Sequence, residues 1–196
     1  MIFDGWIAGL GTASGLRAVL GHWPRSPFGP FADVMVEDAA GARTLLAPTP
    51  EIADFVSGTY GFDDVRIVPV VARTDGTRWE VDAGPLRATF TRGRRAPLGW
   101  LLRAVPRPVA TDPRWIGLTD AVARRVLPGV RTRGSAGGGR EEFYGALDLH
   151  RLAAASLTWD GVDGGPPAPV DPPVRFGFSS TPRTPALTRV VTTIRC

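Results

Sequence analysis

Proline and glycine punctuate this chain too closely for long helices to form. Nineteen prolines and 24 glycines are spread along 196 residues. Each proline removes a backbone donor and each glycine weakens an element interior, so short strands and turns should dominate. The apolar share, 43%, is enough at this length for one substantial core and argues against disorder. The expectation is one α+β domain over 1–196, a β-rich antiparallel sheet or partly closed barrel with two or three short helices.

Local patterns place the elements. "ADVMVEDAAGARTLLA" (32–47) reads as a hairpin turning through Asp38 and Gly41. In "TPEIADFVSGTYG" (49–61), Thr49 is an N-cap, Pro50 fills the first helical position and Ile52, Phe55 and Val56 form an apolar side. Three strands follow at 65–72, 77–83 and 86–92. In the second, Trp79, Val81 and Ala83 alternate with Arg78, Glu80 and Asp82, as in a half-buried sheet.

Two further helices are predicted. "PLGWLLRAVP" (97–106) puts Leu98, Leu101, Leu102 and Val105 on one face of a helix, at i, i+3, i+4 and i+7. "DPRWIGLTDAVARRVLPG" (112–129) starts at the N-cap Asp112, carries a stripe of Trp115, Leu118, Val122 and Val126, and stops at Pro128-Gly129. The loop "RTRGSAGGGR" (131–140) lacks the Gly-Lys-Ser/Thr ending of a phosphate cradle and precedes a strand, so it reads as a flexible connector. "GGPPAPVDPP" (164–173) has a linker's composition, but the 23 residues beyond it are too few to fold alone and must rejoin the sheet.

Every one of the 23 basic residues is arginine. Residues 87–140 hold 12 of them against only Asp112 and Asp120, whereas residues 1–86 hold six against 11 acids. Two arrangements fit: the regions face each other and partly cancel, or the arginines form a surface for phosphate or carboxylate groups. No helix-turn-helix, zinc-finger or RNA-recognition pattern accompanies them, so nucleic acid is not an expected partner. The sole cysteine, Cys196, excludes an internal disulfide and a cysteine metal site, which suits a reducing compartment. Segment 5–23 is nearly as long as a membrane span, but Arg17, His22 and five glycines mark it as core. A cytoplasmic protein without membrane contact or cofactor follows, with homo-oligomerisation left open.

The chemistry concentrates in "GREEFYGALDLHRL" (139–152). As a strand, it puts Glu142, Tyr144, Asp148 and His150 on one side and Phe143, Leu147 and Leu149 on the other, with Gly145 as a bulge site. Asp148 is suited to orient His150 as an acid-base group, although the wet face of a sheet has the same composition. A metal would need a third ligand, and the only other histidine is His22, beside Trp23. Ser179 and Ser180 lack a nucleophile elbow.

The leading expectation is a pocket for a small ligand, an anionic one being an option, lined by Arg140, Glu142, Tyr144, Asp148 and His150. One rival is a lysine-independent lyase or hydrolase using Asp148 and His150. The other is a structural or interaction protein with a basic surface.

Three stretches, "HWPRSPFGPFADVMVE", "LPGVRTRGSAGGGREEFYGALDLH" and "DPPVRFGFSSTP", resemble a group of uncharacterised proteins from high-GC actinobacteria, over most of the chain. The order of elements is also similar to the acetoacetate decarboxylase-like β-barrels. That resemblance implies a cone of antiparallel strands enclosing a small-molecule pocket. It does not extend to the decarboxylases' Schiff-base chemistry, because this chain has no lysine.

Overall fold

A computed structural model describes residues 1–127, 129–135, 137 and 139–195, apart from the Val126 side chain. The helix stop at Pro128, the Val126 end of the apolar stripe, the centre of the Gly-rich loop and Cys196 lie outside the described residues.

The chain begins with a four-stranded meander: β1 (Ile2–Thr12), β2 (Arg17–Arg25), β3 (Phe31–Glu37) and β4 (Arg43–Ala47). The β3–β4 turn closes as its sequence requires, with the Gly41 N–H on the Asp38 carbonyl at 3.1 Å and Gly41 at φ +89°. Helix α1 (Pro50–Ser57) follows, and the Thr49 hydroxyl accepts from the Ile52 N–H at 3.3 Å. Next come β5 (Asp64–Ile67), β6 (Val71–Thr74), β7 (Arg78–Ala83) and β8 (Leu86–Arg95). Three helices then intervene: α2 (Pro97–Ala104), α3 (Arg107–Ala110) and α4 (Pro113–Val126). The remaining strands are β9 (Arg133–Ser135), β10 (Glu141–Trp159), β11 (Val162–Asp163), β12 (Pro167–Ala168) and β13 (Ala186–Arg195).

Ten strands join in the order β5-β4-β3-β2-β1-β13-β10-β8-β7-β6 and curl into a half-barrel; among the described residues only the β4–β5 pair is parallel. With four short helices among the described residues this is the expected α+β class, α3 being the one with no counterpart in the sequence pattern. The two edge strands are consecutive in sequence, so residues 68–70 span the gap between them, with Val68 and Val70 packed on the barrel core. The single strand expected over 65–72 is thereby corrected to two, broken at Pro69, which has no N–H to donate.

Inside the curl, Leu10, Ala18, Leu20 and Val34 meet Val81, Leu86, Ala88 and Phe90. The void left among them is about 10 Å³, at the lower limit for one water, so the barrel interior is filled. The opposite, convex face of β1–β3, β10 and β13 is buried too, beneath the helices and residues 174–182. Burial on both faces is why segment 5–23 reads as one apolar run without alternation. No helix among the described residues is long and apolar enough to cross a membrane.

One expectation about side-chain direction is corrected. In β10 the register slips between Ala146 and Asp148, so the bulge falls at Leu147 and not at Gly145. The apolar stripes of α2 and α4 differ: in α2, Leu98 and Leu102 pack on Ala96, Leu149 and Ala186 and only Leu101 is exposed, at 68%, whereas in α4 Leu118 is 76% and Val122 58% exposed. In α4 the buried residues are Ile116 and Asp120, which turns its stripe outward.

Candidate functional site

Between the convex sheet face and the helical layer lies a cavity of about 390 Å³, within the range of small-molecule sites. Its floor is one pleat face of the sheet, including Ile7 of β1, Val19 and Trp23 of β2 and Val190 of β13. Its roof is Phe55 and Val56 of α1, the apolar sides of α2 and α4, and Phe176. Leu101, Trp115 and Val122 line the cavity and are also exposed, which puts its mouth between α2 and α4.

The polar groups in this apolar space gather around β10. Before the bulge, Glu142 and Tyr144 share one face and both line the cavity. Tyr60 reaches them from the turn after α1, its N–H held by the Val56 carbonyl at 2.9 Å. The Tyr60 hydroxyl lies 2.9 and 2.8 Å from the two Glu142 oxygens and 2.6 Å from the Tyr144 hydroxyl. The Tyr144 ring stacks on Phe178 at 5.4 Å. Burial pushes the Glu142 carboxyl up to about 7, against the lowering effect of the two phenols and the Arg140 charge. Burial and the neighbouring acid likewise hold both phenols well above the ordinary tyrosine range.

Proton count decides what this cluster can offer. With Glu142 ionised, both phenol protons are held within the cluster by a carboxylate that only accepts; with Glu142 neutral, a third proton is present and the cluster can donate outward. Thr192 lies directly across β10 from Tyr144. Its hydroxyl, with those of Ser180 and Thr181, is buried without a hydrogen-bond partner among the described residues, and all three residues line the cavity.

A second carboxyl, Asp33, interrupts the apolar row Phe31–Asp33–Met35 of β3. It accepts from the Trp23 indole N–H at 3.1 Å, and burial raises it to about 7 despite that bond. The bond crosses directly above Gly21: a Cβ there would stand 2.5 Å from Asp33 Oδ1 and 2.6 Å from Trp23 Nε1. Gly21→Ala is therefore expected to separate the pair and lower unfolding stability by roughly 1–3 kcal/mol, read from urea denaturation. Stability equal to wild type would show that the contact does not require glycine.

The residues singled out from the sequence divide at the bulge. Glu142 and Tyr144 line the cavity. Arg140 stays outside it, donating to the Gly58 carbonyl at 2.9 Å with its guanidinium over Phe55, where it caps the carbonyl end of α1. Asp148 and His150 are not on the face of Glu142 and Tyr144: the extra residue Leu147 inverts the alternation, so Leu149 takes the cavity side. Asp148 is gripped by Arg95 at 2.8 and 3.0 Å. His150 Nδ1 faces the Gly93 carbonyl at 3.1 Å and Nε2 faces Asp148 at 3.4 Å. Burial alone would raise the Asp148 carboxyl; Arg95, the Leu149 N–H and His150 outweigh it and hold it below the ordinary range.

Tyr60, Asp33 and Trp23 were missed in the sequence. Asp33 alone left a signal, a charge at an inward position of an apolar strand. Among the described residues no three His, Cys, Asp or Glu side chains are grouped to hold a metal ion. Fold and site together define an α+β half-barrel with a roofed, mainly apolar cavity on its convex face. No protein-family model matches the chain, and no curated protein matches it.

Proposed function

We propose that the protein binds a small, largely apolar molecule in the roofed cavity, with the molecule's polar end held by Tyr60, Glu142, Tyr144 and the neighbouring hydroxyls. The observation that carries this reading is the set of partnerless hydroxyls on Ser180, Thr181 and Thr192, which line a space large enough for a ligand. Buried polar groups are nearly always paired, and a ligand's polar atoms would complete these. The titratable groups inside are carboxyls and phenols, while Arg131 stands at the exposed rim. A neutral polar end such as a carbonyl or hydroxyl therefore suits the interior better than an anionic one.

Native mass spectrometry of the purified protein should reveal a retained apolar ligand, and the neutral dye Nile red should compete for the same space. Ala123→Trp on α4 puts an indole into the lining and is expected to weaken dye binding about tenfold or more. A protein that carries no ligand, and whose dye affinity Ala123→Trp leaves unchanged, would overturn the reading.

A second reading, proton transfer to or from a bound carbonyl compound, is favoured by the Glu142 carboxyl titrating near 7 between two phenols. It moves the acid-base role from Asp148 and His150, which face away from the cavity, to Glu142. Glu142→Gln would then retain dye binding but lose deuterium exchange into a bound ketone. Equal exchange in both proteins excludes it.

A further inference from the structure

The mouth of the cavity is surrounded by a surface that a water-facing helix pair does not ordinarily carry. Trp100 and Leu101 on α2 are 60% and 68% exposed, and Trp115, Leu118 and Val122 on α4 are 39%, 76% and 58% exposed. On α4 these fall at i, i+3 and i+7, a single helical face. Arginines stand among them: Arg103, Arg114, Arg125 and Arg131 are exposed and make no ion pair among the described residues. The only acids within α2, α3, α4 and their caps are Asp112 and Asp120; Asp120 is buried and paired with Arg124 at 2.8 Å.

We infer that the α2–α4 face docks on an anionic lipid bilayer and that the cavity exchanges its ligand with that bilayer. Tryptophan and leucine beside arginine form the pattern of an interfacial helix: the apolar side chains enter the acyl boundary while guanidinium groups meet lipid phosphates. A second copy of the chain is the competing cover for this face. Two-fold pairing through it would bring the unpaired arginines toward their own copies, so like charges oppose that contact whereas phosphates favour the bilayer. The docking rests on the helix surface alone; only the nature of the cargo, a lipophilic molecule supplied through the mouth, rests on the proposed cavity function.

The full chain is tested by co-sedimentation with vesicles of phosphatidylglycerol and phosphatidylcholine, against vesicles of phosphatidylcholine alone. Wild type should partition onto the anionic vesicles, and less so as salt rises. Arg114→Glu with Arg125→Glu should lower partition by about thirtyfold or more, and Leu118→Glu with Val122→Glu by about tenfold or more. All four positions are exposed, and far-UV circular dichroism checks that the variants fold. Arg73→Glu is the control for general charge, because Arg73 lies on β6 at the far edge of the sheet; it should lose little. Quenching of wild-type tryptophan by brominated lipid provides a readout that needs no variant. Dye binding is measured on the same wild-type protein: vesicle docking without any Nile red binding or retained ligand would defeat only the cavity reading.

The inference is overturned by absence of anionic-vesicle binding at low salt, by equal losses in Arg73→Glu and the α4 arginine pair, or by full binding of the Leu118/Val122 variant. It is also overturned by concentration-dependent self-association in light scattering that the Leu118/Val122 variant abolishes, which would assign the face to a second copy.

Discussion

Arg17→Met is expected to lower unfolding stability by about 3–5 kcal/mol, the cost of removing one partner from a buried ion pair. Glu37, at the end of β3, is 0% exposed, and Arg17, at the start of β2, is 3% exposed. Their charges lie 3.4 Å apart. The same guanidinium donates to three backbone carbonyls: Gly15 at 3.2 Å, Pro172 at 2.9 Å and Asp38 at 2.9 Å. It thus ties the β1–β2 turn, the β3–β4 turn and the proline-rich segment into one knot. Arg175 also donates to Glu37, its N–H to Oε2 at 2.8 Å and its Nε at 3.0 Å to the Oε1 that faces Arg17, but its side chain is mostly in water. Methionine preserves the apolar stem and leaves Glu37 with that one exposed partner.

The thermal midpoint should fall by about 10 °C, since a chain of this size loses roughly 2–4 °C per kcal/mol. Adding Glu37→Leu should restore a substantial part of the loss, because the uncompensated charge is then gone. A double variant no more stable than Arg17→Met alone would show that the carbonyl contacts, not the ion pair, carry the effect.

What the sequence revealed and what it concealed follow one physical rule. Elements governed by neighbouring residues were legible: Thr49 and Asp112 cap their helices, Gly41 closes its turn, and Trp79, Val81 and Ala83 alternate inward. Elements governed by distant contacts were not. Nothing local distinguishes a bulge at Leu147 from one at Gly145, yet that single extra residue decides which of Glu142, Tyr144, Asp148 and His150 reach the cavity. The stripe on α4 was correctly seen as apolar, but periodicity does not say whether a stripe meets a core or rims an opening. Tyr60 lies 82 residues from Glu142 along the chain, so their hydrogen bond exists only because α1 folds back over the sheet. The candidate site was therefore half legible, Glu142 and Tyr144 from the strand pattern, with Tyr60 and Asp33 supplied by the tertiary fold.

The pH dependence of stability should carry the signature of the two cavity carboxyls. Asp33 and Glu142 are raised from ordinary values of 3.8 and 4.5 to about 7. The folded chain therefore binds more protons than the unfolded one between those limits. The resulting stabilisation is complete below the ordinary values and is lost as pH rises through 7. The shifts correspond to losses on the order of 4 kcal/mol for Asp33 and 3 kcal/mol for Glu142, since one pKa unit is about 1.4 kcal/mol. The lowered carboxyls Asp4, Asp63, Asp120 and Asp148 act on the acid side, losing their contribution as pH falls below the ordinary range near 3.8. His22, lowered by burial, acts in the same sense as these and against Asp33 and Glu142, losing its contribution as pH falls below its ordinary 6.5. The decisive comparison is therefore between proteins and not along one curve. Urea midpoints measured between pH 5 and 8 should fall steeply for wild type and much less for Asp33→Asn with Glu142→Gln, whose amides retain acceptors for Trp23 and Tyr60. Parallel pH profiles in the two proteins would remove these carboxyls as the source. The same titration sets ligand preference: below pH 7 the neutral acid gives the Tyr60–Glu142–Tyr144 cluster a proton to donate to a carbonyl, and above it the carboxylate retains both phenols for itself. Nile red, which presents acceptors only, should accordingly bind more weakly at pH 8 than at pH 6 in wild type, with the difference abolished by Glu142→Gln.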